Sequence, residues 1–280
     1  MGADALVNSS TADVETTARV DNRNWKRLKA YLLYTRHVFA YDSALQLSKP
    51  GGTWLDIGCG MGYALAKLAK TADQVLAVDL AWTSLRSLPA AKRLEKSRAD
   101  AAALPLADAS VDHVMCFQVI EHVDRELAIR ILREIQRVLK PGGMGFVTTP
   151  NARWRLLPDQ QPWNPYHVVE YQPDEIVELC ADAGIDRRGI KGVLGLEGAQ
   201  EVELSRVTKN PFFVWGPHRA RAWSQWRSLE RPTGLKEGRR LGRRAVTPAD
   251  HEREWFSLVG DFAEGLDFWI EVHGRPSESP

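Results

Sequence analysis

The sequence predicts an α/β fold in which a mostly parallel sheet of seven strands carries helices on both faces. Short apolar runs alternate with helical patterns from Thr53 to Leu194, as repeated strand–helix units require. Lys49-Pro50-Gly51-Gly52 and Lys140-Pro141-Gly142-Gly143 punctuate that alternation. W-L-D-I-G-C-G-M-G at 54–62 sets three glycines at alternate positions behind an apolar run, a turn that lets backbone approach a ligand closely.

Taken in order, residues 1–21 have neither a basic start nor an apolar stretch suited to a signal peptide and read as a flexible tail. Apolar and aromatic residues at helical spacing from Trp25 to Leu47 predict one or two helices, an N-terminal cap spanning 22–48. The core, 49–195, begins with the strand T-W-L-D-I, a helix from Tyr63 to Lys70, the strand Q-V-L-A-V-D-L and a helix from Thr83 to Lys92. A short strand near Ser97 to Ala101, the strand V-D-H-V-M-C-F, a helix from Arg125 to Leu139 and the strand M-G-F-V-T-T continue it. Pro173 to Ala183 is a helix with Pro and acids in its first turn and Gly184 behind it. Arg188 to Leu194 supplies the sixth strand and residues 266–273, within the closing segment 263–280, the seventh. Residues 196–262 then form an insertion before the last strand, with a helix starting near Thr247-Pro248.

Composition excludes some function classes. With 280 residues, 44% hydrophobic and 26% charged, and a net charge of +1, the chain has no global attraction for nucleic acid or membrane. No apolar run approaches the length of a membrane span. Cys59, Cys116 and Cys180 are far apart, lack metal-ligand spacing and fit reduced core thiols of a cytoplasmic protein.

The glycine turn fits two cofactors, and its neighbours decide between them. A dinucleotide fingerprint from Gly58 needs a small residue at 63, where Tyr63 stands, and the register from Gly60 needs one at 65, where Leu65 stands. Asp56, Gly58, Gly60 and Gly62 remain, followed about twenty residues on by Asp79, a carboxylate placed to accept from both ribose hydroxyls. The stretch A-D-A-A-A-L-P-L-A-D-A-S-V-D-H-V, then F-Q-V-I-E-H-V, L-R-E-I-Q-R-V-L-K-P-G-G and T-T-P-N, resembles in order and spacing the class I S-adenosylmethionine (SAM)-dependent methyltransferases.

That resemblance implies a Rossmann-like core, SAM as cofactor and S-adenosylhomocysteine as product. It implies that Asp100 accepts from the adenine amino group, that the Ala101 N–H bonds the ring and that Leu80 packs on its face. Cys59, Phe117 and Gln118 complete the implied cofactor lining. Tyr31, Tyr34 and Arg36 either cap the cofactor, Arg36 facing its carboxylate, or pack the first helix.

Methyl transfer from a sulfonium needs mainly a deprotonated nucleophile held in line. Gln118-x-x-Glu121-His122 and N-P-Y-H-V-V-E-Y, containing His167, supply two histidines and an acid for general-base work on a hydroxyl. The pairing is similar to that of ubiquinone-biosynthesis O-methyltransferases and small-RNA 2′-O-methyltransferases, where a Glu-x-x-Glu-His motif and a later His hold a divalent metal. Glu121, His122 and His167 match, whereas Gln118 replaces the first Glu and brings no charge. A metal is therefore the lesser expectation, and a structural brace at the following helix start is the alternative role for Glu121-His122.

Between Gly216 and Arg244 lie nine basic residues, Arg219, Arg221, Arg227, Arg231, Lys236, Arg239, Arg240, Arg243 and Arg244, against Glu230 and Glu237. Trp215, Trp223 and Trp226 interleave with them, and Trp163 precedes. Such a segment either reads an aromatic or anionic small-molecule acceptor or packs a lid with solvated arginines. The expected activity is O-methylation of a small molecule; an RNA 2′-O-methyltransferase and a SAM-binding scaffold without turnover are the alternatives.

Overall fold

The computed structural model describes residues 26–62, 65–157, 160–162, 164–196, 198–205 and 235–276. Eight strands form one sheet: β1 (Thr53–Ile57), β2 (Gln74–Asp79), β3 (Leu94–Arg98), β4 (Val111–Phe117), β5 (Leu139–Pro150), β6 (Ile190–Gly195), β7 (Phe256–Val259) and β8 (Asp267–His273). Their order is β3-β2-β1-β4-β5-β8-β6-β7. β1 to β5 pair in parallel, and β8 runs antiparallel to both β5 and β6. The order reverses at β1, whose neighbours are β2 and β4, and ligands of open α/β sheets bind at the carboxyl ends beside such a switch.

The helices are α1 (Leu28–Leu47), α2 (Leu65–Thr71), α3 (Trp82–Ser87), α4 (Arg125–Val138), α5 (Pro173–Ala183), α6 (Ala199–Leu204), α7 (Leu235–Gly242) and α8 (Pro248–Glu252). One core cluster joins Leu28 and Leu32 of α1, Leu65 and Leu68 of α2, Leu85 of α3 and Val202 of α6 to Trp54, Phe146 and Trp269. The other joins Ile131, Leu132 and Ile135 of α4 and Ile176 and Leu179 of α5 to Leu55, Val114 and Phe268. Adjacent residues of one strand, Trp54 and Leu55, thus face opposite cores, as the two-residue period of a doubly covered sheet requires. Asp124 caps α4 by accepting from the Leu127 N–H at 2.8 Å, and Gln172 with Glu175 forms a capping box on α5.

The α/β class, the parallel core and the 173–183 helix agree with expectation. Four boundaries do not. The sheet has eight strands, because β7, inside the presumed insertion, pairs antiparallel with β6 as an edge. It is only four residues long, too short for its alternation to stand out. β3 lies at 94–98 rather than 97–101, which leaves Asp100 and Ala101 in the following turn. α3 stops at Ser87, before Leu88-Pro89, because the residue preceding proline is pushed out of helical conformation. β5 starts at Leu139, five residues early, with Leu139 paired to Val111 before a register shift. The first expected helix is the single α1, and the tail 1–21 lies outside the described residues.

α1 and α8 are tied through Asp250. Its carboxylate accepts from Arg244 at 2.7 and 2.8 Å and from the Thr247 N–H and hydroxyl at 2.7 and 2.8 Å. Its carbonyl accepts from the Tyr31 hydroxyl and the Trp255 indole. The Arg244 guanidinium holds the Asp250 carboxyl well below the usual carboxylate range. Asp250→Ala strands a half-buried guanidinium and is expected to cost about 3 kcal/mol in urea unfolding at neutral pH. A folded-state pKa below the unfolded value means this stability is complete above about pH 4 and lost as pH falls further. Wild-type and variant unfolding curves should therefore converge in acid.

Candidate active site

β1 ends at Ile57, and Gly58, Gly60 and Gly62 take φ of 67°, 49° and 73°, values that glycine alone adopts freely. The Gly58 and Cys59 N–H groups both donate to the Val78 carbonyl, at 2.8 and 3.2 Å, which ties the turn to β2. A Cβ on Gly58 would stand 2.5 Å from Val119 Cγ2, and one on Gly62 2.6 Å from Leu88 Cδ2. Asp79, at the end of β2, accepts from the Gly60 N–H at 2.9 Å and the Ala81 N–H at 2.7 Å. Asp56 lies buried in β1; the Tyr41 hydroxyl of α1 donates to its Oδ1 at 3.4 Å, and its Oδ2 has no hydrogen-bond partner among the described residues. Burial pushes its pKa up to about 7.

Leu80 is 58% exposed, with Met61 and Trp82 exposed nearby in sequence beyond β1 and β2. These apolar groups beside the switch point form a rim suited to a planar base. Asp100, in the turn after β3, accepts from the Ala102 N–H through Oδ1 at 2.8 Å.

β4 ends in Phe117, whose buried ring packs edge-on to Tyr41 at 4.8 Å. Gln118 follows with φ of 58°, an uncommon value for a residue with a Cβ. It is held there by its N–H bond to the Thr148 carbonyl and by its amide on the Thr148 hydroxyl at 3.3 Å. The next turn, Ile120–His122, delivers Glu121 into the interior and His122 to its edge.

The loop after β5 brings His167 against His122. The rings meet edge to face at 5.1 Å, and one ligating atom from each of Glu121, His122 and His167 lies within 4.8 Å of the others. The Val168 and Val169 N–H groups donate to the Glu121 carbonyl, clamping the two loops together. His122 Nδ1 lies 2.7 Å from the Tyr166 carbonyl and His167 Nδ1 2.6 Å from Glu170 Oε1. Both partners are acceptors, so each ring carries its proton on Nδ1 and leaves Nε2 basic. Burial lowers the His122 pKa against the lift from the Tyr166 carbonyl. Glu121 is fully buried; the Thr149 hydroxyl donates to its Oε2 at 3.0 Å while Oε1 has no hydrogen-bond partner among the described residues, and burial pushes its pKa up to about 7.

Behind the histidines the interior is acidic. Glu121, Glu170, Glu203 and Asp267 are buried alongside Arg36, and Arg155 contacts Glu170 at 3.0 Å. Arg36 lies against Glu203 at 3.4 Å and Asp267 at 3.3 Å. Its charge is therefore paired inside the cap, in keeping with the packing alternative for the first helix. Tyr31 is likewise a buried cap residue, on Asp250 and the His251 ring. Cys59, Cys116 and Cys180 are buried free thiols, as expected.

Within the basic segment, Trp215, Trp223, Trp226, Arg219, Arg221, Arg227 and Arg231 lie outside the described residues, as do Tyr63 and Trp163. Of the described arginines there, Arg240 pairs with Glu237 and Arg244 with Asp250. Sequence reasoning passed over Glu170, Arg155, Asp267 and Tyr41. Glu170 was within reach, three residues after His167 in the same loop; the others come from distant segments with no shared motif.

A Rossmann-like sheet with a positive-φ glycine turn, an acid at the end of β2 and a polar cluster beyond β4 and β5 is the arrangement of a nucleoside-cofactor-binding protein. The family model for the methyltransferase domain matches residues 55–147. A probable SAM-dependent methyltransferase of Mycobacterium tuberculosis is 43% identical over 132 residues, 46% of this chain and 47% of that protein. The ubiquinone biosynthesis O-methyltransferase of Xanthomonas campestris is 36% identical over 189 residues, 59% of this chain and 76% of that one. A putative methyltransferase of Bacillus halodurans shares the fold at a TM-score of 0.50 and 15% identity, over 85% of this chain and 99% of that chain. So does the cyclase SpnF, at 0.50 and 16%, over 86% and 81%. The chain belongs to the class I SAM-dependent methyltransferase family, with SAM as its cofactor. It spans about half the length of the first curated relatives it matches.

Gly58→Ala places a Cβ against Val119 at a positive φ and should weaken S-adenosylhomocysteine binding about tenfold or more by calorimetry. Adding Val119→Ala removes the contact but not the strained φ, so recovery should be partial. Unchanged affinity in the folded single variant would remove this turn from the cofactor site.

Proposed function

We propose that the protein transfers the SAM methyl group to a hydroxyl oxygen of a small-molecule acceptor, with the His122–His167 pair taking the hydroxyl proton. The observation that carries this reading is the two facing imidazoles, each with Nδ1 held by an acceptor and Nε2 left basic. The bond between sulfur and methyl breaks as the bond between oxygen and methyl forms, and the electron pair stays on sulfur. A neutral hydroxyl is a poor nucleophile, so removing its proton is the task left to the protein. Glu170 fixes the His167 tautomer, and buried Glu121 sets the electrostatic environment of both rings. In this reading Asp79 binds the ribose, Asp100 and Ala101 the adenine edge, and Leu80 its face. The resemblance to the Xanthomonas protein, named as an O-methyltransferase, supports oxygen as the acceptor atom. Fold alone does not decide the reaction, since a cyclase shares it.

A second reading adds a divalent metal, favoured by the unpartnered buried Glu121 Oε1 within ligand range of His122 and His167. The donor set of one carboxylate and two imidazoles fits such an ion, and the surplus of buried acids would help to offset its charge. When bound, it would lower the pKa of an acceptor hydroxyl. Gln118 remains tied to Thr148 and supplies no charge. Pairing of Arg240 and Arg244 with acids leaves less basic surface for an RNA strand, so a small molecule is the acceptor class preferred.

Turnover can be read as S-adenosylhomocysteine released with a panel of phenols and catechols. His167→Ala and His122→Ala should each lower it by about 10²–10⁴-fold while SAM binding persists. Full activity in both variants would overturn the assignment of the base. Exhaustive chelation that abolishes turnover, restored by added magnesium or zinc, would establish the metal; full activity after chelation would eliminate it.

A further inference from the structure

The charges buried behind His167 form a row of two ion-paired groups. Glu203 Oε2 on α6 lies 3.4 Å from an Arg36 terminal nitrogen on α1, and Arg36 Nε lies 3.3 Å from Asp267 Oδ2 at the start of β8. Glu170 Oε2 lies 3.0 Å from Arg155 Nε, and Glu170 Oε1 2.6 Å from His167 Nδ1. Arg155 and Asp267 bring the two groups within electrostatic reach of each other, the Arg155 charge opposing the upward push that burial gives the Asp267 pKa. Signs alternate along the row, and its members come from five separate parts of the chain.

Such a row is a poor way to gain stability. Desolvating this many charges costs as much as their attraction returns, and apolar side chains of similar volume would often serve as well. Five elements converging on one imidazole are better explained by what they do to that imidazole. A carboxylate with one oxygen on His167 Nδ1 and the other on a guanidinium can neither rotate away nor leave the ring free to change tautomer. His122, whose Nδ1 is held by the Tyr166 carbonyl instead, stands outside the row.

We propose that this row positions His167: Arg36 and Glu203 in the cap hold Asp267, which through Arg155 fixes Glu170, so the Nδ1–H tautomer is held when α1 and α6 are seated on the sheet. Arg36 is then a positioning residue, acting on His167 through three intervening side chains. The idea rests on the reading of His167 as a proton acceptor, but its test does not require turnover.

The test is a two-bond proton–nitrogen correlation spectrum of the full chain, labelled with ¹⁵N-histidine and saturated with S-adenosylhomocysteine, with His167 assigned through His167→Gln. The wild-type ring should show a single Nδ1–H pattern. Arg36→Met should convert it to a mixture of tautomers, Arg36→Lys should restore the single pattern, and His122 should stay unchanged in both. The near-isosteric Glu203→Gln and Asp267→Asn should reproduce the loss, and they decide the matter if Arg36→Met does not fold. A single Nδ1–H pattern persisting in folded Arg36→Met, or in both isosteric variants, would overturn the proposal while leaving the methyl-transfer reading intact. Failure to bind S-adenosylhomocysteine at all would instead strike at that reading.

Discussion

β8 runs antiparallel between β5 and β6, pairing residues from Met144↔His273 through Pro150↔Asp267. That reversal depends on backbone hydrogen bonds along the ladder, and it determines what the acceptor side contains. A parallel strand in this slot would present its last residues at the carboxyl edge; the reversed strand presents its first, Asp267, beside the loop that leaves β5. Asn151 is held in the same corner, its side-chain amide donating to the Ala263 and Gly265 carbonyls. From that corner the chain departs toward His167. The placement of Arg36, Arg155 and Glu170 follows from having a buried acid at the head of β8.

Much of this was legible in sequence, for reasons that differ between the two halves of the site. The cofactor half is local. Asp56 through Gly62 run from the end of β1 into one turn, Asp79 closes β2 and Asp100 follows β3, so strand alternation alone orders them across the sheet. The glycines are recognisable because their φ values exclude side chains. His122 and His167 were also visible, each in a loop after a strand, although nothing in the spacing showed that their rings meet. The ion row was not legible. Its members are separated by up to 231 residues, from Arg36 to Asp267, and only the β5–β8–β6 order brings them together. β7 escaped for a simpler reason, since four residues, one buried and three half-buried, carry too little pattern. The role of Arg36 stayed open between facing an anion and packing the first helix, because its pairing partners Glu203 and Asp267 are remote in sequence.

The two halves also differ in electrostatic character. The glycine turn offers neutral backbone N–H groups. The region beyond β4 and β5 buries four carboxylates together with Arg36, and Arg155 lies against one of them.

Asp79 meets the solvent side of the cofactor turn with both carboxylate oxygens already committed to backbone donors, one at Gly60 and one at Ala81. Each oxygen keeps a further lone pair. A vicinal diol arriving there finds its acceptors already frozen in one rotamer, with no side chain to order on contact. The ordering of that carboxylate was completed during folding, so a ribose bound there, as the proposed reading has it, would meet acceptors held by the main chain.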